Sequence, residues 1–153
     1  MILREANLAD CKVFFKWVND DSVRQSAIKK DLIEWKSHKE WFVKKLNCKT
    51  SYLFIAEKDQ AKIGQVRFDC VNSVAKIDYS ISSDYRGNGY GKAIVLKGIE
   101  KLIGESNKIK KFEAIVRVEN IASRKIFLGL SFNEQTKTST LVTYNFCLWL
   151  KII

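Results

Sequence analysis

The chain has 153 residues, no proline and four cysteines, and its 27 Lys and Arg against 17 Asp and Glu give a formal net charge of +10. That length suits one domain with a core of its own, and 46% apolar with 29% charged residues excludes a disordered chain. No apolar run approaches the roughly 20 residues that cross a bilayer, and Met1-Ile2-Leu3-Arg4-Glu5 lacks a signal peptide's layout, so a cytoplasmic protein without a membrane partner is expected.

Ile2 to Glu5 reads as a short first strand. Asn7-Leu8-Ala9-Asp10 is a variant capping box, and Cys11, Phe14, Phe15 and Val18 follow at the spacing of one helical face. Asp20 to Arg24 reads as a short helical turn. Ser37-His38-Lys39-Glu40 is an S-x-x-E capping box opening a helix to about Leu46, which puts His38 at its first position. Three strands are expected at Tyr52 to Glu57, Lys62 to Asp69 and Val74 to Ile81. In the second, Gln65, Arg67 and Asp69 alternate with Val66 and Phe68, so those polar groups share one sheet face. A helix from Gly89 to Gly104 buries Val95, Ile99 and Leu102. A strand over Lys111 to Val118, a helix over Ala122 to Leu130, and strands near Phe132 to Lys137 and Leu141 to Leu150 complete the chain. The last two form a hairpin around Thr138-Ser139. This order implies an α/β or α+β domain, a sheet flanked by helices, spanning residues 1–153. A homodimer paired through the edge of the C-terminal strand is compatible with it.

The basic residues comprise 21 Lys and 6 Arg, scattered along the chain with one tight cluster at Lys108-Ile109-Lys110-Lys111. A nucleic-acid surface favours a stripe of Arg with interleaved aromatics. A lysine-rich solvated surface and a field that attracts small anions are the other two readings, and composition does not choose among the three. Without a C-x-x-C pair, and with His38 the one histidine, a metal site has no support. The cysteines read as small reduced core residues, and Trp149 as core.

The feature that carries chemistry is Tyr85-Arg86-Gly87-Asn88-Gly89-Tyr90-Gly91-Lys92, which follows a strand and opens a helix. Alternate glycines let the backbone turn and approach a ligand, and a helix start directs unpaired N–H groups into the loop. The combination is a phosphate cradle. A dinucleotide fingerprint fails, because Lys92 and Ile94 occupy the third-glycine positions. A Walker A loop fails at Arg86 and Ala93. R-x-x-G-x-G, Arg86 through Gly91, fits.

In that setting the segment resembles motif A of the GNAT superfamily of acetyl-CoA-dependent N-acetyltransferases. Asn120-Ile121-Ala122-Ser123 with Phe127 and Leu130-Ser131-Phe132 is similar to the superfamily's N-x-A-A/S-x-x-x-Y…L-G-F segment. The resemblance implies a mixed, mostly antiparallel sheet of about six to seven strands flanked by helices. It implies that backbone groups of Tyr79, Ser80 and Ile81 pair with the pantetheine arm of acetyl-CoA. The amides of Gly87, Asn88, Gly89, Tyr90, Gly91 and Lys92, with Arg86, would hold its pyrophosphate, and Asn120 and Phe127 would border it. The acetyl donor is then acetyl-CoA, no metal is needed, and a neutral amine attacks the thioester directly. The phosphates of that donor use part of the +10 charge, so no nucleic-acid partner is expected.

Two positions depart from the pattern. Phe127 stands where the superfamily often has a Tyr acid, and Ser131 where it commonly has Gly. Tyr144, on the last strand, is the replacement candidate for the acid. Asp78, which shares a strand face with Ser80, and His38 are the candidates for the base.

Trp17-Val18-Asn19-Asp20 with Val23-Arg24, His38 with Trp41-Phe42, and Gly64-Gln65-Val66-Arg67-Phe68-Asp69 resemble the branch that acetylates the 4-amino group of nucleotide-linked deoxy sugars, as in pseudaminic-acid pathways. Trp17, Trp41 and Trp35 are candidate ring platforms, Arg24 and Arg67 forks for a diphosphate or carboxylate, and Asn19 and Asp69 polar contacts for the acceptor. Acetylation of a protein N-terminus or another small amine is the alternative within the same chemistry. An acyl-CoA-binding module without catalysis is the alternative outside it.

Overall fold

The computed structural model describes residues 1–148. Seven strands form one sheet: β1 (Ile2–Glu5), β2 (Ser51–Lys58), β3 (Ala61–Val71), β4 (Val74–Ile81), β5 (Lys111–Arg117), β6 (Asn133–Lys137) and β7 (Leu141–Cys147), in the spatial order β1-β2-β3-β4-β5-β7-β6. All neighbours are antiparallel except β4 and β5. Five helices cover the sheet: α1 (Cys11–Val18), α2 (Asp21–Ser26), α3 (Trp35–Leu46), α4 (Tyr90–Glu105) and α5 (Ile121–Gly129). The expected mixed, mostly antiparallel sheet of six to seven strands is what the chain forms.

The alternation in the strands feeds two cores. On one face Phe54, Phe68 and Phe112 meet edge to face across β2, β3 and β5, at centroid distances of 6.2 and 5.9 Å, beneath Val95, Ile99 and Leu102 of α4. Gly98 lets α4 approach this closely, since a Cβ there would lie 2.7 Å from Val66 Cγ1. On the opposite face Cys11, Phe14 and Trp17 of α1 pack with Phe42 of α3 on Leu53 and Ile55 of β2. A buried carboxylate ties α1 to the sheet. Asp10 accepts bonds from Arg4 (2.7 and 3.0 Å), Lys62 (2.7 Å) and the Asn7 amide (2.9 Å). Burial pushes its pKa up, but these donors outweigh burial and hold it well below the usual carboxylate range. The Asn7 capping box forms as expected, opening a single 3₁₀ turn (Leu8–Asp10) that runs into α1.

Three expectations need correction, and one cannot be compared. Helix α3 starts at Trp35, with extended Glu34 as its N-cap and no side-chain cap bond, so Ser37 does not cap it. The earlier start seats Trp35 edge-on to Phe15 at 5.1 Å. Of the cysteines, Cys11 alone is core, while Cys48, Cys70 and Cys147 are half-buried. The C-terminal strand β7 is interior, inserted between β5 and β6, so the sheet edge at that end is β6, with all five residues exposed. Trp149, and the extension of the last strand to Leu150, lie outside the described residues.

The topology creates one functional consequence. Parallel β4 and β5 pair only at Val74–Lys111, Ala75–Phe112 and Lys76–Glu113, although β4 continues to Ile81 and β5 to Arg117. Past Lys76 the two strands part, and a wedge opens in the middle of the sheet.

Candidate active site

The wedge widens into a cleft of about 820 Å³. Its floor is β4 from Ile77 to Ile81 and β5 from Ala114 to Val116. The turn Arg86 to Lys92 and the start of α5 close one side, and α1, α2 and α3 the other.

At the turn, Gly87 and Gly89 have φ of +77° and +79°, a left-handed backbone that favours glycine, and Gly89 is the N-cap of α4. A Cβ at either would meet nothing within 4 Å. The two glycines therefore face open space beside the free amides of a helix start, a cradle sized for an anionic oxygen group. Gly91 differs: a Cβ there would lie 2.7 Å from Ile126 Cδ1 and 3.4 Å from Tyr79 Cε2. It is small so that α4 can pack on α5 and β4, while the residue itself still lines the cleft. Asn88 donates to the carbonyls of Arg86 (3.0 Å) and Tyr85 (3.4 Å) and so braces the turn, without lining the cleft. Arg86 donates to the Ile81 carbonyl (3.0 Å) and to Asp20 (2.8 Å), the residue that caps α2, and so locks the turn to the helices opposite. Lys92 is exposed, lines the cleft, and has no carboxylate partner among the described residues.

At the far wall Asn120 caps α5 by accepting from the Ser123 amide at 3.1 Å. Phe127, 2% exposed, lines the cleft, with Tyr144 stacked on it at 6.0 Å. Tyr144 does not reach the cleft. It is fully buried, and its hydroxyl accepts from Arg124 (3.1 Å) and donates to Glu134 (3.3 Å). Its geometry withdraws the ground for a role as acid, because Phe127 and not Tyr144 faces the wedge.

The opposite side carries polar groups from β3 and β4. Gln65, 5% exposed, donates through Nε2 to Asp78 (3.1 Å) and Ser80 (3.3 Å), and its buried Oε1 has no partner. Arg67 lies 3.5 Å from Asp78 and 3.7 Å from Asp69, with its guanidinium 5.0 Å above the Trp41 ring. Gln65 was visible in the sequence as one of three alternating polar residues and within the Gly64 to Asp69 segment, with no role assigned to it, and the alternation was the signal for its place here.

Several expected acceptor contacts hold the scaffold instead. Asp69 stands outside the cleft lining, taken by Lys45 and by Ser51 at 2.7 Å. Trp17 is core, 5% exposed. Asn19 forms a reciprocal pair of 2.8 Å bonds with the backbone of Ile33. Arg24 does line the cleft, and it donates to the carbonyls of Val18, Lys29 and Asp31. Burial lowers its pKa, though it stays a cation, and no carboxylate pairs with it among the described residues.

His38 also borders the cleft, as the fourth residue of α3 and not its first. It is 3% exposed, bonded through Nε2 to the Cys11 carbonyl at 3.0 Å, with its ring stacked on Trp35 and Phe42. A carbonyl only accepts, so Nε2 carries the proton. Burial holds its pKa below the ordinary value, which keeps the ring neutral. These bonds make it a packing element between α1 and α3.

The sequence profile of the acetyltransferase (GNAT) domain matches residues 1–133. The chain belongs to the GNAT family. It is an N-acetyltransferase that uses acetyl-CoA as donor, and the open glycine cradle and parted strands fit that donor. Solved structures share the fold at low identity. A ribosomal-protein-alanine N-acetyltransferase from Brucella melitensis superposes with a TM-score of 0.81 at 16% identity, covering 97% of this chain and 100% of the other. A spermidine N-acetyltransferase from Vibrio cholerae, in complex with CoA and spermine, gives 0.83 at 13%, covering 95% and 94%. A domain from Methanocaldococcus jannaschii gives 0.81 at 21%, covering 96% and 97%. Comparison with curated proteins gave no sequence match. In this GNAT enzyme no helix among the described residues is long and apolar enough to cross a membrane.

Proposed function

We propose that this acetyltransferase acts on a primary amine carried by an anionic small molecule, with a nucleotide-linked 4-amino deoxy sugar as the best-fitting class. The observation that carries the reading is the charge of the cleft wall. Arg24, Arg67, Arg86 and Lys92 line it, against one carboxylate, Asp78. A polycation such as spermidine would meet Arg24 and Lys92, which have no carboxylate partner among the described residues, with Arg67 and Arg86 already held by Asp78 and Asp20. The wall is net positive, which costs affinity and slows encounter. A diphosphate would meet planar forks. Trp41, held under Arg67, offers a ring face beside them.

Acetyl-CoA brings an activated thioester acyl group to the wedge. The backbone of Tyr79, Ser80 and Ile81, on the part of β4 that β5 leaves, orients its pantetheine amides as an added strand. The amides from Gly87 to Lys92 hold its pyrophosphate. Asp78, fixed by Gln65 and Arg67, takes the proton from the acceptor amine directly or through one water.

The test follows CoA thiol release from acetyl-CoA with a UDP-linked 4-amino-4,6-dideoxy sugar, a peptide with a free acidic N-terminus, and spermidine. Turnover strongest with the nucleotide sugar supports the reading. Turnover strongest with the peptide supports protein N-terminal acetylation instead, and turnover strongest with spermidine refutes the charge argument.

A further inference from the structure

Phe127 leaves the cleft without a hydroxyl at the place where the resemblance implies an acid, and Tyr144 behind it cannot supply one. A different phenol can. Tyr79 projects from β4 where β5 has already parted from it, and its hydroxyl lies 2.7 Å from Ser123 Oγ in the first turn of α5. Its ring meets Phe127 edge-on, with centroids 6.1 Å apart and planes at 75°. Tyr79, Ser123 and Phe127 all line the cleft. The other cleft tyrosines, Tyr85 and Tyr90, stand at the glycine turn, where the pyrophosphate is held.

We propose that Tyr79 is the general acid of the transfer, protonating the departing CoA sulfur, with Ser123 as the positioning residue that donates to the resulting phenolate. The inference rests on the acetyltransferase reading and is independent of which amine accepts. The balance is simple. The amine nitrogen bonds to the acyl carbon and loses one proton, the carbon–sulfur bond breaks, and the sulfur takes the Tyr79 proton. Solvent in the open cleft then reprotonates the phenolate.

The electrostatics suit a donor. Burial raises the phenol's pKa and the neighbouring Asp78 charge on β4 acts the same way, while the bond from Ser123 on α5 opposes them. The sum is a raised pKa, so Tyr79 holds its proton at neutral pH. The Ser123 bond keeps the phenolate accessible during turnover. Its own geometry is fixed by the Asn120 cap, so the Tyr79 hydroxyl is set by two elements on opposite sides of the wedge.

The experiment measures kcat and KM against pH for the wild type, Tyr79→Phe, Ser123→Ala and the double variant Tyr79→Phe with Phe127→Tyr. The donor is acetyl-CoA and the acceptor is whichever of the three named above turns over fastest. Tyr79→Phe is expected to lower kcat about tenfold or more, with KM for acetyl-CoA changed less than about threefold, and to remove the alkaline limb of the kcat profile. Ser123→Ala is expected to move that limb to higher pH, because the phenolate loses its donor. The double variant returns a hydroxyl from α5 and is expected to recover most of the lost rate. A Tyr79→Phe enzyme with unchanged kcat, or one that keeps the alkaline limb, overturns the assignment. A loss that adding Phe127→Tyr leaves unrepaired assigns Tyr79 to packing. A wild type that binds acetyl-CoA by calorimetry but acetylates none of the three refutes the acceptor reading; the same variants are then compared on slow hydrolysis of acetyl-CoA, where an unchanged Tyr79→Phe rate refutes the acid. Wild-type turnover with an indifferent Tyr79→Phe refutes the acid alone.

Discussion

Gly89 and Gly91 stand two residues apart in one turn, and the structure predicts opposite consequences for replacing them with alanine. At Gly89 the φ of +79° puts an L-residue in the left-handed region, a cost of about 1–2 kcal/mol. No atom lies within 4 Å of the new methyl, so no packing penalty adds to it. For a chain of this size the melting temperature should fall about 2–8 °C. The methyl does enter the space where an anion would approach the helix amides. Losing one charge-assisted hydrogen bond there, about 1.5–3 kcal/mol, weakens acetyl-CoA binding roughly 10- to 150-fold. At Gly91 the backbone is unstrained, and the new methyl would sit 2.7 Å from Ile126 Cδ1. That methyl ends a flexible side chain and can turn aside, so the cost is about 1–3 kcal/mol of packing, with acetyl-CoA affinity within about threefold. Calorimetric titration with acetyl-CoA and a thermal melt on each variant separate the two. A folded Gly89→Ala protein that binds acetyl-CoA like the wild type would refute the cradle.

Three further outcomes follow from the geometry. His38 has a depressed folded pKa, so the unfolded chain takes up its proton first as pH falls; stability present above about 6.5 should decline towards pH 5. His38→Gln, which can still donate to the Cys11 carbonyl, should flatten that slope in melts from pH 7.5 to 5, and an unchanged slope assigns it to other groups. Asp10→Asn leaves Arg4 and Lys62 facing a neutral amide and should destabilise by about 3–5 kcal/mol in urea unfolding; a loss below about 1 kcal/mol contradicts the network. Arg67→Met keeps bulk over Trp41 but removes the fork, and should raise KM for the nucleotide sugar about tenfold while KM for acetyl-CoA holds. A rise in the acetyl-CoA value instead would place Arg67 on the donor side.

Much of this was legible in the chain because local signals and tertiary demands agree. The period-two runs became β2, β3 and β4, and Arg86 to Gly91 lies between β4 and α4 where a phosphate turn belongs. The misreadings share one cause: a side chain's chemistry was visible, but its partners were not. Asp69 offers a carboxylate, yet Lys45 and Ser51, distant in sequence, already hold it. Trp17 lies three residues after Phe14 and shares its buried face, a spacing that marks core. Ser37 has a capping residue's identity, but seating Trp35 against Phe15 extends the helix past it. Tyr144 has the right group on the wrong side of Phe127, a fact of sheet depth that no spacing encodes. Tyr79 was read for its backbone alone, because its hydroxyl gains meaning only when α5 brings Ser123 within 2.7 Å.

The most direct test of the account is the rate of CoA release at fixed acetyl-CoA with a UDP-linked 4-amino-4,6-dideoxy sugar set against spermidine. A cleft lined by Arg24, Arg67, Arg86 and Lys92 with Asp78 as its one acid predicts a kcat/KM at least about a hundredfold higher for the nucleotide sugar. Equal values, or a preference for spermidine, would contradict it.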